Sequence, residues 1–346
     1  MHQKIMPKRN FIDYLIITAK GIAMGAADAV PGVSGGTIAF ITGIYEELIT
    51  TLSGINLSLI KTLQKQGLAA FWKQLNGNFI LALVAGITIS FVSFMRIAKY
   101  LIENQAILIW SFFFGLIVAS ILYIGRQIKK WCFKTLFALI LGGLIAHFIT
   151  TIPPITNNEQ PFFLFLVGAI AICAMILPGI SGSFILLILG AYKTLSDAIH
   201  DFNLKNILIF VGGAFIGLIS FSKLLKWLFK NYEDLTLAVL TGFIMGSLNV
   251  IWPWKQTITV FSKEKGLELF FNQISDLGTL SVFQKQNFDF NSYKSILEKS
   301  ISPFTYSEIN NGIDPQVLLS VVLMLLGFLI VFLLEKTATK KPRNGH

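Results

Sequence analysis

The 346-residue chain is 54% hydrophobic and only 13% charged, with a mean hydropathy of +0.69. Soluble domains carry about 25% charged residues, so this composition excludes one and describes a polytopic membrane protein. The net charge of +10 does not call for nucleic acid, because excess Lys and Arg in a membrane protein collects on the cytoplasmic side.

At the N-terminus, Lys4, Lys8 and Arg9 precede an apolar stretch, Phe11–Ala29. Asp13 and Lys20 interrupt it and Pro31 follows closely, so it reads as a first membrane element rather than a cleaved signal peptide. Val33–Ile49 is a second, shorter segment. Each is marginal against the roughly 20 residues that span a bilayer. Together they predict a hairpin broken at Pro31-Gly32, since proline lacks an amide proton and disfavours helix just before it. Thr51–Asn78 is polar and basic (Lys61, Lys65, Lys73), with Trp72 as an interfacial anchor. Spans are predicted over Phe79–Leu101, Ala106–Gly125 and Thr135–Thr151. A second hairpin, Phe162–Leu177 and Ser183–Leu195, breaks at Pro178-Gly179. Ile207–Phe229, Leu235–Trp252 and Gln316–Leu334 complete an all-α membrane domain over 1–346, with six full spans and two re-entrant hairpins. An external insertion at about 255–314 precedes the last span, and Ser262–Ile274 within it reads as amphipathic. Cys132 and Cys173 lack metal-ligand spacing, so no disulfide, metal or cofactor is expected.

The chain repeats itself. A displacement of 147 carries Gly21 to Gly168, Pro31 to Pro178, Ser34 to Ser181, Gly43 to Gly190 and Tyr45 to Tyr192. A displacement of 127 carries Gly86 to Gly213, Arg96 to Lys223, Lys99 to Lys226 and Gly115 to Gly242. The unit is a hairpin plus three spans, 11–151 and then 162–334. An odd number of spans separates the hairpins, so the second copy is predicted to lie inverted. Lys4, Lys8 and Arg9, Lys61 to Lys73, Arg126 to Lys134 and Lys336 to Arg343 then share one side, which predicts cytoplasmic termini in the cell membrane.

Broken hairpins in corresponding places point to a transporter's binding site. Ser34-Gly35-Gly36-Thr37 and Ser181-Gly182-Ser183 would each open a half-helix after its break. The first amides of a helix lack internal partners at the positive end of its dipole, which suits phosphate, sulfate or carboxylate. The blander reading is a tight turn whose glycines serve close packing; two inverted copies favour the anion site. Arg96 with Lys99, and Lys223 with Lys226, put a cationic pair at each mouth, suited either to an anionic lipid headgroup or to snorkelling. Asp28 has no counterpart, since Met175 takes its place. It reads as proton carrier, counter-ion or cap at the break. Glu46 and Glu47 sit at the hairpin exit, where solvation is the blander reading, and Glu46 is the alternative candidate for coupling or counter-ion. No grouping of nucleophile, general acid-base partner or metal ligands suggests an enzyme.

Gly25-Ala26-Ala27-Asp28-Ala29-Val30-Pro31-Gly32-Val33-Ser34-Gly35-Gly36-Thr37, with Gly43-Ile44-Tyr45-Glu46 after it, resembles the signature of the bacterial and archaeal polyprenyl-phosphate translocases. Leu177-Pro178-Gly179-Ile180-Ser181-Gly182-Ser183 is similar to that family's second motif. The resemblance implies a flippase returning undecaprenyl phosphate, or a related polyprenyl phosphate, from the outer to the cytoplasmic leaflet for reuse as carrier lipid. The phosphate would then sit at the two half-helix starts, with Arg96, Lys99, Lys223 and Lys226 assisting, the tail in lipid, and a proton as coupling ion. The residues without the resemblance leave open a secondary transporter of a small soluble anion.

Overall fold

The computed structural model describes residues 9–28, 35–151, 160–178, 202–262, 267–270, 293–310 and 312–339, with 182, 185–186, 189–191, 194–195 and 198 in the second hairpin. A bilayer offers backbone groups no hydrogen bonds, so apolar runs satisfy them internally as helices. They are α1 (Phe11–Asp28), α2 (Gly35–Ile41), α3 (Tyr45–Ser53), α4 (Leu57–Gln74), α5 (Gly77–Asn104), α6 (Ala106–Gly125), α7 (Phe133–Thr151), α8 (Pro161–Ile176), α9 (Leu204–Asn231) and α10 (Glu233–Gly246). After the insertion come α11 (Pro303–Ile309) and α12 (Val317–Thr339). Among the described residues, Ala106–Gly125, Phe133–Thr151, Leu204–Asn231 and Glu233–Ile251 are long and apolar enough to cross a membrane. The helices α5 and α12, of 28 and 23 residues, are apolar over 77–90 and 317–333. The protein is a mostly helical, multi-pass membrane protein.

The all-α expectation needs correction within the insertion. Lys255–Ser262 (β1), Leu267–Phe270 (β2) and Tyr293–Ser300 (β3) form an antiparallel sheet in the order β2-β1-β3. The β1 sequence, Lys-Gln-Thr-Ile-Thr-Val-Phe-Ser, is dense in β-branched residues that lose rotamer freedom in a helix and pack well on a pleated surface. Leu267–Phe270, within the amphipathic piece read over Ser262–Ile274, is strand. The sheet is fixed to the helices at its root. The indole of Trp252 donates to the Ile301 carbonyl and that of Trp254 to the Pro315 carbonyl, both at 2.9 Å. The Lys255 ammonium lies 4.2 Å from the Trp110 ring centre and 3.1 Å from a Glu298 carboxylate oxygen.

Four helix pairs carry most of the packing: α1 with α5, α8 with α9, α6 with α12, and α7 with α10. Without a hydrophobic drive between helices in lipid, close approach at small residues holds such pairs. Where α1 crosses α5, a Cβ on Gly86 would stand 2.9 Å from the Ile22 nitrogen. Where α8 crosses α9, a Cβ on Gly213 would stand 3.0 Å from the Phe165 Cα. Gly242 of α10 meets Gly143 of α7 in the same manner, and Gly115 of α6 meets Met324 of α12. Backbone details recur at the same displacements. The α5–α6 junction, Gln105, has φ −138° and ψ 42°; the α9–α10 junction, Tyr232, has φ −140° and ψ 49°. Gly43 and Gly190 both turn through positive φ, +72° and +67°.

The main core surrounds the first hairpin. Ala27, Ile38, Phe40, Ile44 and Ile49 pack with Phe113, Ile117, Ile176, Leu225 and Ile244 from four other helices, α6, α8, α9 and α10.

Candidate functional site

The first hairpin ends α1 at Asp28 and resumes helix at Gly35. Pro31, Gly32 and Ser34 lie outside the described residues, between these two ends. Across the gap, the Gly35 amide donates to Asp28 Oδ1 at 2.6 Å. A carboxylate thus takes one of the free amides at the positive end of α2. Gly35 is buried, and a Cβ there would sit 2.9 Å from Asp28 Cγ, so only glycine lets the carboxylate approach this closely. Among the three roles read for Asp28, its contact is that of a cap.

At the other end of α2, the Lys20 ammonium donates to the Thr42 carbonyl at 2.6 Å. Asp28 and Lys20 both belong to α1, so one helix places opposite charges at the two ends of the antiparallel half-helix beside it. Each charge has the sign that complements the dipole end it meets. Sequence reasoning saw Lys20 only as an interruption. Its signal was spacing: eight residues separate Lys20 from Asp28, two turns and a little more, which nearly matches the length of α2.

The second arm predicted over Val33–Ile49 is split in two. Helix stops at Ile41, Gly43 takes φ +72°, and α3 begins at Tyr45. The Gly43 amide donates to Phe40 and the Ile44 amide to Ala39, closing the end of α2.

The two hairpins meet at their breaks. A Cβ on Gly36 would lie 2.6 Å from the carbonyl oxygen of Ile176 and 3.2 Å from that of Met175, the last residues of α8. Helix α8 ends because Leu177, ahead of Pro178, is extended at φ −67° and ψ 131°. Pro178 and Gly182 are buried, and a Cβ on Gly182 would lie 2.9 Å from the Ala171 carbonyl oxygen. Thr37, on α2, is fully buried. Gly179, Ser181 and Ser183 lie outside the described residues.

The cationic pairs are placed less closely. Arg96 and Lys99 lie on α5, with their side chains outside the described residues. Lys223 and Lys226 are exposed on α9, on either side of the buried Leu225. The C-terminal part of that helix packs on α3, with Phe229 and Tyr45 ring centres 6.0 Å apart. Glu46 is exposed at the start of α3.

Glu47, read from sequence only as a solvated residue of the hairpin exit, makes an ion pair with Arg9 at the hairpin mouth. Arg9 grips it with both guanidinium nitrogens, at 2.6 and 2.5 Å, and Asn76 adds a hydrogen bond at 3.0 Å. Arg9 precedes the first membrane helix, so the pair lies outside the spanning segments. Burial pushes the Glu47 carboxyl up, but the hydrogen bonds from Arg9 and Asn76 outweigh that and hold it below the ordinary range.

A protein-family profile described as undecaprenyl phosphate translocase-like matches residues 24–269. The chain is 42% identical over 329 residues to a polyprenyl-phosphate transporter of Vibrio cholerae serotype O1, covering 95% of this chain and 98% of the relative. It is 32% identical over 268 residues to a polyprenyl-phosphate transporter of Staphylococcus aureus, covering 68% of this chain and 84% of the relative. No solved structure matches. With the profile covering both Pro-Gly motifs and a relative matching nearly end to end, this chain belongs to the undecaprenyl phosphate translocase-like family of membrane transporters.

Proposed function

We propose that this protein carries a polyprenyl phosphate, undecaprenyl phosphate or a close relative, from the outer to the cytoplasmic leaflet, by alternating access between two inverted repeats. The observation that carries the reading is the meeting of the two breaks, where Gly36 of one hairpin abuts the last carbonyls of the helix that opens the other. The names of the two relatives supply the lipid. The inverted repeat is supported by helix pairing that maps onto itself when the copies are exchanged: α1 with α5 becomes α8 with α9, and α6 with α12 becomes α10 with α7. The matched φ angles at Gly43 and Gly190 and at Gln105 and Tyr232 support it further.

In this reading the phosphate sits between the hairpins, held by the hydroxyls and amides of Ser34, Gly35, Gly36, Thr37, Ser181, Gly182 and Ser183. Arg96 and Lys99 meet it at the outer mouth and Lys223 and Lys226 at the inner one. The tail remains in lipid. Asp28 already holds the Gly35 amide, so an arriving phosphate competes with a carboxylate for the same donor. Protonation or displacement of Asp28 then accompanies loading. The cytoplasmic face is the Arg9 end, where Glu47, Gln127, Lys129 and Glu233 gather, and the sheet of the insertion stands at the opposite end of α6.

The test is reconstitution in liposomes carrying polyprenyl phosphate in one leaflet, followed with an impermeant external probe. The lipid is lost from the outer leaflet faster than in protein-free liposomes, and Ser34→Ala or Arg96→Ala slows the loss about 10-fold, the scale of one charge-assisted hydrogen bond. Loss at the protein-free rate, together with uptake of a soluble anion, would transfer the site to the small-anion reading.

A further inference from the structure

The displacement between the two copies drops from 147 to 127 between the first hairpin and the span after it, so the first copy carries an extra segment there, which α4 fills. The repeat itself therefore gives α4 no task. Gly67 takes φ +80° and ψ −179°, outside the helical region, and splits the element into two arms. The Gln74 side-chain amide of the second arm donates to the Ser58 hydroxyl of the first at 3.0 Å. Straight helix would hold these two, 16 residues apart in sequence, about 24 Å from one another. The arms fold back as a small helical hairpin.

Its root is fixed at the Arg9 end of the bundle. Asn76, just after the second arm, bonds Glu47, the carboxylate that Arg9 grips. Leu59 of the first arm is buried, and α5 is the helix on which α4 chiefly packs. The Trp72 indole donates to the Asn78 side chain at 2.7 Å, and its ring covers Gly77. Trp72 thus lies level with the first turn of α5, where that span begins. Tryptophan is favoured at this depth, with its ring toward hydrocarbon and its N–H toward polar groups.

Beyond the root the hairpin is bare. Ile60, Leu63, Leu68 and Trp72 are exposed, Leu68 to 70%. Ile60 and Leu63, three residues apart, share one side of the first arm, and Lys61 and Lys65, four apart, share the other. Leu68 and Trp72 repeat the four-residue spacing on the second arm, with Lys73 beside them. All three lysines are exposed, and α4 contains no Asp or Glu. Among the described residues none of the three has an acidic partner. Water would solvate the lysines but leave four large apolar side chains uncovered. A layer that is anionic on its outer side and apolar beneath suits both groups at once, and it begins where Trp72 stands.

We propose that the α4 hairpin docks on anionic phospholipids of the leaflet at the Arg9 end. Lys61, Lys65 and Lys73 meet the headgroup phosphates, while Ile60, Leu63, Leu68 and Trp72 enter the upper acyl region. The dock is separate from the hairpin breaks and stands whether or not the transported lipid is a polyprenyl phosphate.

The test places a fluorophore on Leu68→Cys in the full-length protein, with Cys132 and Cys173 replaced, in liposomes of mixed phosphatidylcholine and phosphatidylglycerol. A nitroxide carried near the lipid headgroup quenches the label, and acrylamide in the water quenches it weakly. The nitroxide quenches about 5-fold more efficiently on phosphatidylglycerol than on phosphatidylcholine, the enrichment expected from one lysine at an anionic surface. Lys61→Gln, Lys65→Gln and Lys73→Gln together abolish that preference with thermal unfolding unchanged. High salt shrinks it in the chain with its lysines intact, which tests the same charge without those substitutions. Quenching by acrylamide alone would put the hairpin in water. Resistance to both quenchers would put it under a protein partner or a second copy. Equal quenching by the two lipids would reduce the lysines to a topological signal. Each of these three results overturns the proposal.

Discussion

At Gly36 a single hydrogen in place of a side chain decides whether the two hairpins touch. A methyl group there would stand 2.6 Å from the Ile176 carbonyl oxygen, and backbone on both sides leaves little room to yield. Gly36→Ala therefore costs about 1–3 kcal/mol of stability, as overpacking does, and separates the breaks. Transport should fall more steeply than thermal stability; a variant that transports normally would detach the site from this contact. Glu47 makes a second prediction at this scale. Its folded pKa is depressed, so the Arg9–Glu47 pair contributes stability above the unfolded carboxylate value, near 4.5, and that contribution is lost as pH falls through the folded value. The unfolding temperature of the native protein should decline below about pH 4.5 more steeply than that of Glu47→Gln, measured in detergent. Parallel curves would show that the pair adds nothing to folding.

Among the elements, α2 is the one that least resembles an independent helix. Its seven residues are too few to be stable alone, and it survives by burial and by charges lent from α1 at each end. The turn after it depends on Gly43, whose positive φ has open space around it. Gly43→Ala meets no clash, so its effect isolates the backbone cost, about 1–2 kcal/mol. Gly190→Ala should cost a similar amount, because Gly190 turns through nearly the same φ. Unequal losses, read from thermal unfolding, would mean that the two turns are not doing equivalent work. Four spans were legible from apolar length: Ala106–Gly125 was read to its exact ends, and Phe133–Thr151, Leu204–Asn231 and Glu233–Ile251 to within about three residues. The strands were less legible, since the insertion's polar and apolar residues suit either an amphipathic helix or a half-buried sheet. Pairing of β1 with β3, more than 30 residues away, decided for the sheet.

At the scale of the whole molecule, Lys129 binds Glu233 at one end of α6–α10, while Trp110 at the other end of α6 supports Lys255 and the sheet. A 20-residue helix separates those ends by about 30 Å, the thickness of a hydrocarbon core. Sided labelling follows. With Cys132 and Cys173 replaced, Lys129→Cys should react with an impermeant thiol reagent only from the cytoplasmic side, and Lys299→Cys only from outside. Labelling of both from one side would dismantle the proposed orientation.

By itself the sequence determined that the chain lives in a bilayer, where its long apolar helices run, that α8 stops ahead of Pro178, and which family it resembles. Those features follow from apolar length and proline chemistry, which act over a few residues. Only the tertiary structure decided that Asp28 reaches Gly35, that Lys20 reaches Thr42, that Glu47 rather than Glu46 takes Arg9, and that Gly36 abuts Ile176. Each of these joins separate segments, and polar groups inside a membrane take whichever partner the packing of apolar helices brings within reach.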